Sequence, residues 1–260
     1  MSIRAAGGRT GSATRMRFAA PPSRGFPPWA ILVAVLLVIL TAGWYFLRVK
    51  TSDFGRVANL KAPGEVVVFF GNSITQGYGV RPEDSFPSLV AKELGIAFVN
   101  AGIPGDTTAA GLARVDSDVS IHQPRLTLVE FGGNDFLRRL PREETLHNLD
   151  AMVKTLVSRG MMVVILEVNV ALVGDPNVEG YRAVARRHGA VLVEDIMRGI
   201  LGNPDLKVDG IHPNALGHRM IADRVIQVLR PLLQEADRRR SPAVRQSLQF
   251  HLPALRALLN

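Results

Sequence analysis

Five short apolar runs, each followed by a stretch with helical spacing, constrain this chain more than any other feature. "EVVVFF" (65–70), "IAFVNAG" (96–102), "RLTLVEF" (125–131), "MMVVILEV" (161–168) and "AVLVEDI" (190–196) are nearly continuous in apolar residues. Strands with one wet face alternate apolar and polar residues, so strands this uniformly apolar are expected to be buried on both faces of a parallel sheet. The segments between them read as helices. "FPSLVAKEL" follows Asp84 and Ser85 as a capped helix with a proline in its first turn. Leu146, Leu149, Met152, Val153 and Leu156 recur at helical spacing. Other helices are expected after Thr107 and Thr108, near 177–188, and from Asn214 to about Glu235. Strand and helix in alternation, joined by right-handed crossovers, predict a three-layer α/β/α domain. Its sheet is open, doubly wound and parallel, with about five strands in the flavodoxin-like order. In such sheets function sits outside the carboxyl ends of the strands.

The domain is expected over 65–235, and the rest of the chain divides by composition. Residues 1–28 hold five arginines and no acid and read as a basic disordered leader. Residues 29–47, "WAILVAVLLVILTAGWYFL", carry no charge, with Trp29 and Trp44 near the two ends. At about 1.5 Å per residue such a run crosses a hydrocarbon layer of about 30 Å, and tryptophan favours the two interfaces. A retained transmembrane signal anchor is therefore expected, since the run is longer than a signal h-region and passes into Trp44, Tyr45 and Phe46 without a small-residue cleavage site. Residues 48–64 read as a linker and 236–260 as a basic amphipathic tail. The expected location is single-pass membrane, with the catalytic domain on the periplasmic, extracytoplasmic side. The formal charge of +8 resides in the flanks: residues 51–237 hold 19 basic and 23 acidic side chains. A mildly acidic body is not the basic face that nucleic acid requires. There is no cysteine, which excludes disulfides and lipoprotein anchoring.

The residues that stand after the strands are chemically loaded. The first strand runs into Gly71, Asn72 and Ser73, the second into Asn100, Ala101 and Gly102, and the third into Gly132, Gly133, Asn134 and Asp135. Before the last helix comes "DGIHPN", Asp209 to Asn214. One sheet edge thus collects a serine, a glycine N–H, an asparagine amide and an Asp/His pair. A serine hydroxyl becomes a nucleophile when a base takes its proton, and imidazole is suited to that near neutral pH. An acceptor must then fix the imidazole tautomer, and preorganised donors must meet the oxyanion.

Four blocks in order, Ser73 in "FFGNSITQGYGV", Gly102 in "NAGIPGDTT", Asn134 in "FGGNDFLRRLP" and His212 in "DGIHPNALGH", resemble the SGNH (GDSL) hydrolase superfamily, nearest its thioesterase I, arylesterase and lysophospholipase branch. The resemblance covers about 65–230. It implies Ser73 as nucleophile, His212 as general base oriented by Asp209, and an oxyanion hole of the Ser73 and Gly102 N–H groups and the Asn134 amide. It also implies an acyl-serine intermediate and no metal or cofactor. Two departures stand out: Asn72 precedes the nucleophile where the family usually has aspartate, and "NVALVGDPNV" is shorter than the substrate-lining loop of that branch. The expected activity is hydrolysis of small-molecule or lipid carboxylic esters or thioesters. A carbohydrate O-acetylesterase and a catalytically silent domain holding acylated ligands are the alternatives. Asp106 and Asp135 read as loop and cap residues, His218 as helical surface, and Glu167 and Asn169 as unassigned pocket candidates. His122, His147, His188 and His251 show no metal-ligand spacing.

Overall fold

The computed structural model describes residues 33, 37, 54–169 and 177–240. The chain divides between Ser52 and Asp53. The leader, the tail from 241 and most of the expected membrane span lie outside the described residues; within that span Val33 and Leu37 are helical and exposed. No helix among the described residues is long and apolar enough to cross a membrane.

Each of the five apolar runs contains a strand: β1 (Val67–Gly71), β2 (Phe98–Gly102), β3 (Leu126–Glu130), β4 (Met162–Leu166) and β5 (Val191–Val193). All pair in parallel, in the order β2-β1-β3-β4-β5. Every residue of β1, β3 and β4 is buried, as expected for strands covered on both faces. The helices are α1 (Ser73–Gln76), α2 (Phe86–Leu94), α3 (Thr108–Asp118), α4 (Gly133–Leu137), α5 (Arg142–Ser158), α6 (Val178–His188) and α7 (Ala215–Arg239). Side chains alternate across a strand, so each strand feeds two cores. Phe69, Leu128 and Val164 pack with Phe86 and Val90 of α2 and Ile221, Val225 and Leu229 of α7. Phe70, Val129 and Val163 pack on the other face with Val115 of α3, Met152 of α5 and Val184 of α6. Each such side chain contributes about 1.5–3 kcal/mol when fully buried.

The packed body extends past 65–235 at both ends. Leu60 and Ala62, in the expected linker, are buried. Asn59 donates its amide to Val157 O at 2.8 Å and Met161 O at 2.9 Å. At the other end α7 continues to Arg239, and the buried guanidinium of Arg240 donates to the carbonyls of Ala62 and Gly64. A basic residue in a tail need not be solvated when carbonyls are available to it.

His218 does not lie on the surface. It is 0% exposed, its Nδ1 accepts from Phe86 N at 3.2 Å, and its ring stacks on Phe86. It thereby satisfies the first N–H of α2, while the Ser85 hydroxyl is bonded to Pro82 O and Ser88. Position 218 falls three and four residues before Ile221 and Ala222, on the buried stripe of α7. Burial depresses the imidazole pKa to about 4. The unfolded chain takes up that proton below about 6.5, so the stability from neutral His218 is complete above 6.5 and lost as pH falls towards 4, by about 3 kcal/mol. His218→Gln keeps an acceptor for Phe86 and removes the titration. Urea unfolding at pH 7 and pH 4 is expected to show an acid loss smaller by about that amount in the variant.

Candidate active site

The turn that carries Ser73 is built by the way β1 stops. Gly71 lies in register between Gly102 of β2 and Glu130 of β3. Asn72 then leaves the sheet and caps α1, its Oδ1 accepting from Ile74 N at 3.0 Å, and Gly77 ends that single turn with φ +90°. Ser73 is the first residue of α1 and nearly buried. Beneath the turn lies Glu130, fully buried. Its Oε1 accepts from Asn72 Nδ2 at 2.8 Å; its Oε2 accepts from Thr75 Oγ1 at 2.8 Å and from the N–H groups of Thr75 and Asn72 at 3.2 and 3.3 Å. Burial pushes the Glu130 carboxyl up to about 7, against the lowering effect of these bonds. Residue 71 has to be glycine: a Cβ there would stand 2.2 Å from Thr75 Oγ1 and 2.8 Å from Glu130 Oε2.

The Asp/His pair is made locally. Lys207 and Pro213 form an antiparallel bridge, and Val208 N donates to His212 O, closing 208–212 into a tight loop. Within it Asp209 Oδ1 accepts from the N–H groups of Ile211 and His212, each at 2.8 Å. Asp209 Oδ2 meets His212 Nδ1 at 2.7 Å. The His212 backbone N–H, the Ile211 N–H and the His212 ring hold the Asp209 carboxyl down to about 2. A carboxylate so held is an acceptor only, which puts the ring proton on Nδ1 and leaves Nε2 as the acceptor. His212 Nε2 lies 2.9 Å from Ser73 Oγ. Tyr78 packs its ring 4.5 Å from that of His212, and Asn214 anchors the loop by capping α7 through Leu216 N and Gly217 N.

Asn134 reaches the same cleft from the end of β3. Gly132 turns the chain with φ +106°, where a Cβ would collide with the Tyr181 hydroxyl, itself bonded to Phe131 O at 2.7 Å. One Asn134 amide proton goes to Asp106 O at 2.8 Å, and the other has no partner among the described residues. Apolar side chains of Ile74, Leu137, Val168, Met197 and Ile211 line this cleft beside Ser73, Asn134 and His212. Glu167, buried and bonded to Asp195 N, and Asn169 do not line it.

Gly102 does not join them. Its N–H is donated to Asn100 Oδ1 at 3.0 Å, and a Cβ on it would stand 2.2 Å from Gln76 N. This glycine permits the close approach of β2 to α1, which Asn100 Nδ2 ties by donating to Thr75 O. The glycine N–H available in this segment is that of Gly105, at φ +82°, which has no partner among the described residues. Its carbonyl accepts from Arg138 at 2.7 Å, next to the Asp106 carbonyl that holds Asn134.

Three contributors are not among the residues that the sequence motifs single out: Glu130, Tyr78 and Arg114. Arg114 lies over the Phe70 ring and donates to Gly71 O at 2.9 Å, Ala101 O at 3.0 Å, and the carboxylates of Asp106 and Asp118. One guanidinium thus joins the ends of β1 and β2 to the loop that holds Asn134. Asp135, expected as a cap, is buried and accepts from Thr108 N and Oγ1 at the start of α3. Arg114→Met keeps the apolar stem and strands Asp106 and two carbonyls. Urea unfolding is expected to register a loss of about 1–3 kcal/mol, as for leaving partly buried polar groups without their partner.

Comparison with known proteins shows the family. The chain is 30% identical over 176 residues to an arylesterase of Vibrio mimicus, covering 64% of this chain and 88% of that protein. It is 29% identical over 180 residues to thioesterase 1/protease 1/lysophospholipase L1 of Escherichia coli, covering 66% and 86%. The crystal structure of the psychrotrophic esterase EstA from Pseudoalteromonas sp., inhibited by monoethylphosphonate, superposes with a TM-score of 0.60 at 25% identity, over 65% of this chain and 99% of that one. The GDSL-like lipase/acylhydrolase family matches residues 69–220, and the chain belongs to that family as an SGNH-type serine hydrolase of esters or thioesters.

Proposed function

We propose that Ser73 is the nucleophile of this hydrolase, His212 its general base, and Asp209 the group that orients the imidazole and balances its charge. The observation that carries the reading is the unbroken line from Asp209 Oδ2 through His212 Nδ1 and Nε2 to Ser73 Oγ, at 2.7 and 2.9 Å. His212 Nε2 takes the hydroxyl proton as Ser73 Oγ bonds to the acyl carbon. The proton then goes to the departing alkoxide or thiolate as its bond to that carbon breaks, leaving an acyl-serine. Water, deprotonated by the same nitrogen, attacks the acyl carbon; the acid is released and Ser73 recovers its proton. General-base assistance of this kind is worth about 10²–10⁴-fold.

The oxyanion is met by the Ser73 N–H, the free proton of Asn134 Nδ2 and the Gly105 N–H, in place of Gly102. One such donor is worth about 2.7–4 kcal/mol. The substrates are carboxylic esters or thioesters whose acyl part lies along Ile74, Leu137, Val168 and Met197. The names of the relatives, arylesterase and thioesterase/lysophospholipase, fall within this class. Residues 29–47 serve as a membrane anchor, a reading supported by their uncharged run with tryptophans near both ends.

The test is hydrolysis of p-nitrophenyl esters from acetate to palmitate by the full chain. Ser73→Ala is expected to lose at least about 10³-fold in kcat, and Asn134→Ala about 10²–10³-fold. Equal activity in Ser73→Ala would remove the nucleophile assignment. Asp209→Asn leaves the tautomer unfixed and is expected to lower kcat by about 10⁴-fold. Because Asp209 ionises near 2, it stays charged across the working range, and the acid limb of kcat/KM belongs to other groups.

A further inference from the structure

We propose that Glu130 is the positioning residue of the nucleophile turn, and that it performs this role as an anion because residue 72 is an amide. The inference rests on Ser73 being the nucleophile. All four hydrogen bonds to the Glu130 carboxylate come from residues 72 and 75, on either side of Ser73 and Ile74. A carboxylate can only accept, and each of the four partners donates, so the ionised form satisfies every contact. A proton on Oε1 would face the Asn72 amide, donor against donor. A proton on Oε2 would face two N–H groups and a hydroxyl, of which only the Thr75 hydroxyl can turn to accept. Either protonated form therefore gives up bonds that set the position of Ser73.

Among the described residues no cation is bonded to this anion. Arg114 of α3 spends its Nη2 on Gly71 O, Asp135 of α4 is bonded to Thr108, and Glu167 after β4 is bonded to Asp195 N. His212 bonds Ser73, and none of the four bonds Glu130. The influences on its ionisation are burial, which raises the pKa to about 7, and the Asn72 and Thr75 bonds, which lower it. Proton uptake by Glu130 consequently falls near neutrality.

The amide–carboxylate pair is reversible in principle. In Glu130→Gln the amide NH₂ stands either opposite the Asn72 NH₂ or opposite the backbone N–H groups of Asn72 and Thr75, so a donor faces a donor in each orientation unless Asn72 flips and abandons its bond to Ile74 N. In Asn72→Asp two carboxyl groups stand about as close as the present 2.8 Å contact, and one must hold a proton. In the double variant, Asn72→Asp with Glu130→Gln, the amide now at position 130 donates to the carboxylate now at position 72. The oxygen of that amide takes the Thr75 and backbone donors. Every bond is remade with the carboxylate on the other residue.

The experiment follows the rate of Ser73 modification by a fluorophosphonate in the full chain from pH 5 to 9, with the modified peptide mapped. In the parent the rate is expected to fall on the acid side through two ionisations, more steeply than for one group. Glu130→Gln is expected to be about 10–100-fold slower, with the steeper step gone, because a displaced nucleophile costs up to about 10²-fold. Asn72→Asp is expected to be slow above neutrality and to recover as pH falls, and the double variant to return to within about tenfold of the parent. An unchanged rate and limb in Glu130→Gln overturns the proposal. So does a double variant no faster than the slower single one, a result that remains decisive if Glu130→Gln alone fails to unfold cooperatively. Absence of modification at Ser73 in the parent rejects the nucleophile reading itself, and this inference with it.

Discussion

The register in which β1 ends is the constraint on which the active edge depends. Gly71 stands between Gly102 and Glu130, and each of the three positions is there for want of space or for a bond. Gly71 leaves room for the Thr75 hydroxyl and the Glu130 carboxylate, and Gly102 lets α1 lie against β2. A slip of one residue would turn the buried side chains of β1 onto the wrong faces. It would also draw Ser73 away from a histidine 139 residues later in the chain. The two cores thus set the position of Ser73 as surely as any polar contact does, because Phe69 and Phe70 hold the register from opposite faces.

Two carboxylates serve this edge, and their surroundings drive them apart. Asp209 is largely solvated and accepts two backbone N–H groups and an imidazole, so it ionises near 2. Glu130 accepts four bonds but is fully buried, and ionises near 7. The number of hydrogen bonds is not what separates them; access to water is. Burial penalises the charged form by more than neutral donors return. The exposed carboxylate is accordingly a constant charge for the imidazole, while the buried one is a group whose charge state changes near neutral pH.

Much of this is legible in the sequence. The five strands stand out because burial on both faces leaves an unbroken apolar run, and the Asp209–His212 pair because its geometry is closed within four residues. What the sequence hides is non-local or sits in an ordinary context. Gly102 looks like the block glycine since it ends the strand, but only the fold shows its N–H bonded to Asn100. His218 reads as helical surface from its place six residues after His212, although its spacing from Ile221 and Ala222 places it on the buried stripe. Glu130 is visible as a charge at the end of "LTLVE", with nothing local to say that its partners lie on another strand's turn. Arg114 looks like helical surface; its partners include carbonyls at the ends of two strands.

The body separates anchorage from chemistry along the strand direction. At the amino edge Asn59 is bonded to carbonyls at the end of α5 and just before β4, and Arg240 to carbonyls just before β1. These contacts bind the two ends of the body to it and touch no residue of the cleft. At the carboxyl edge the polar bonds run between strand ends, helices and loops: Arg114 to Gly71 and Asp106, Asn134 to Asp106, Arg138 to Gly105. Losing an amino-edge bond would weaken the fold with the relay still in register. Losing a carboxyl-edge bond would shift one cleft residue relative to another while both hydrophobic cores stayed packed. Glu130 and Arg114 bear on the site in this way although neither lines the cleft: they tie together groups that the chain brings from different strand ends.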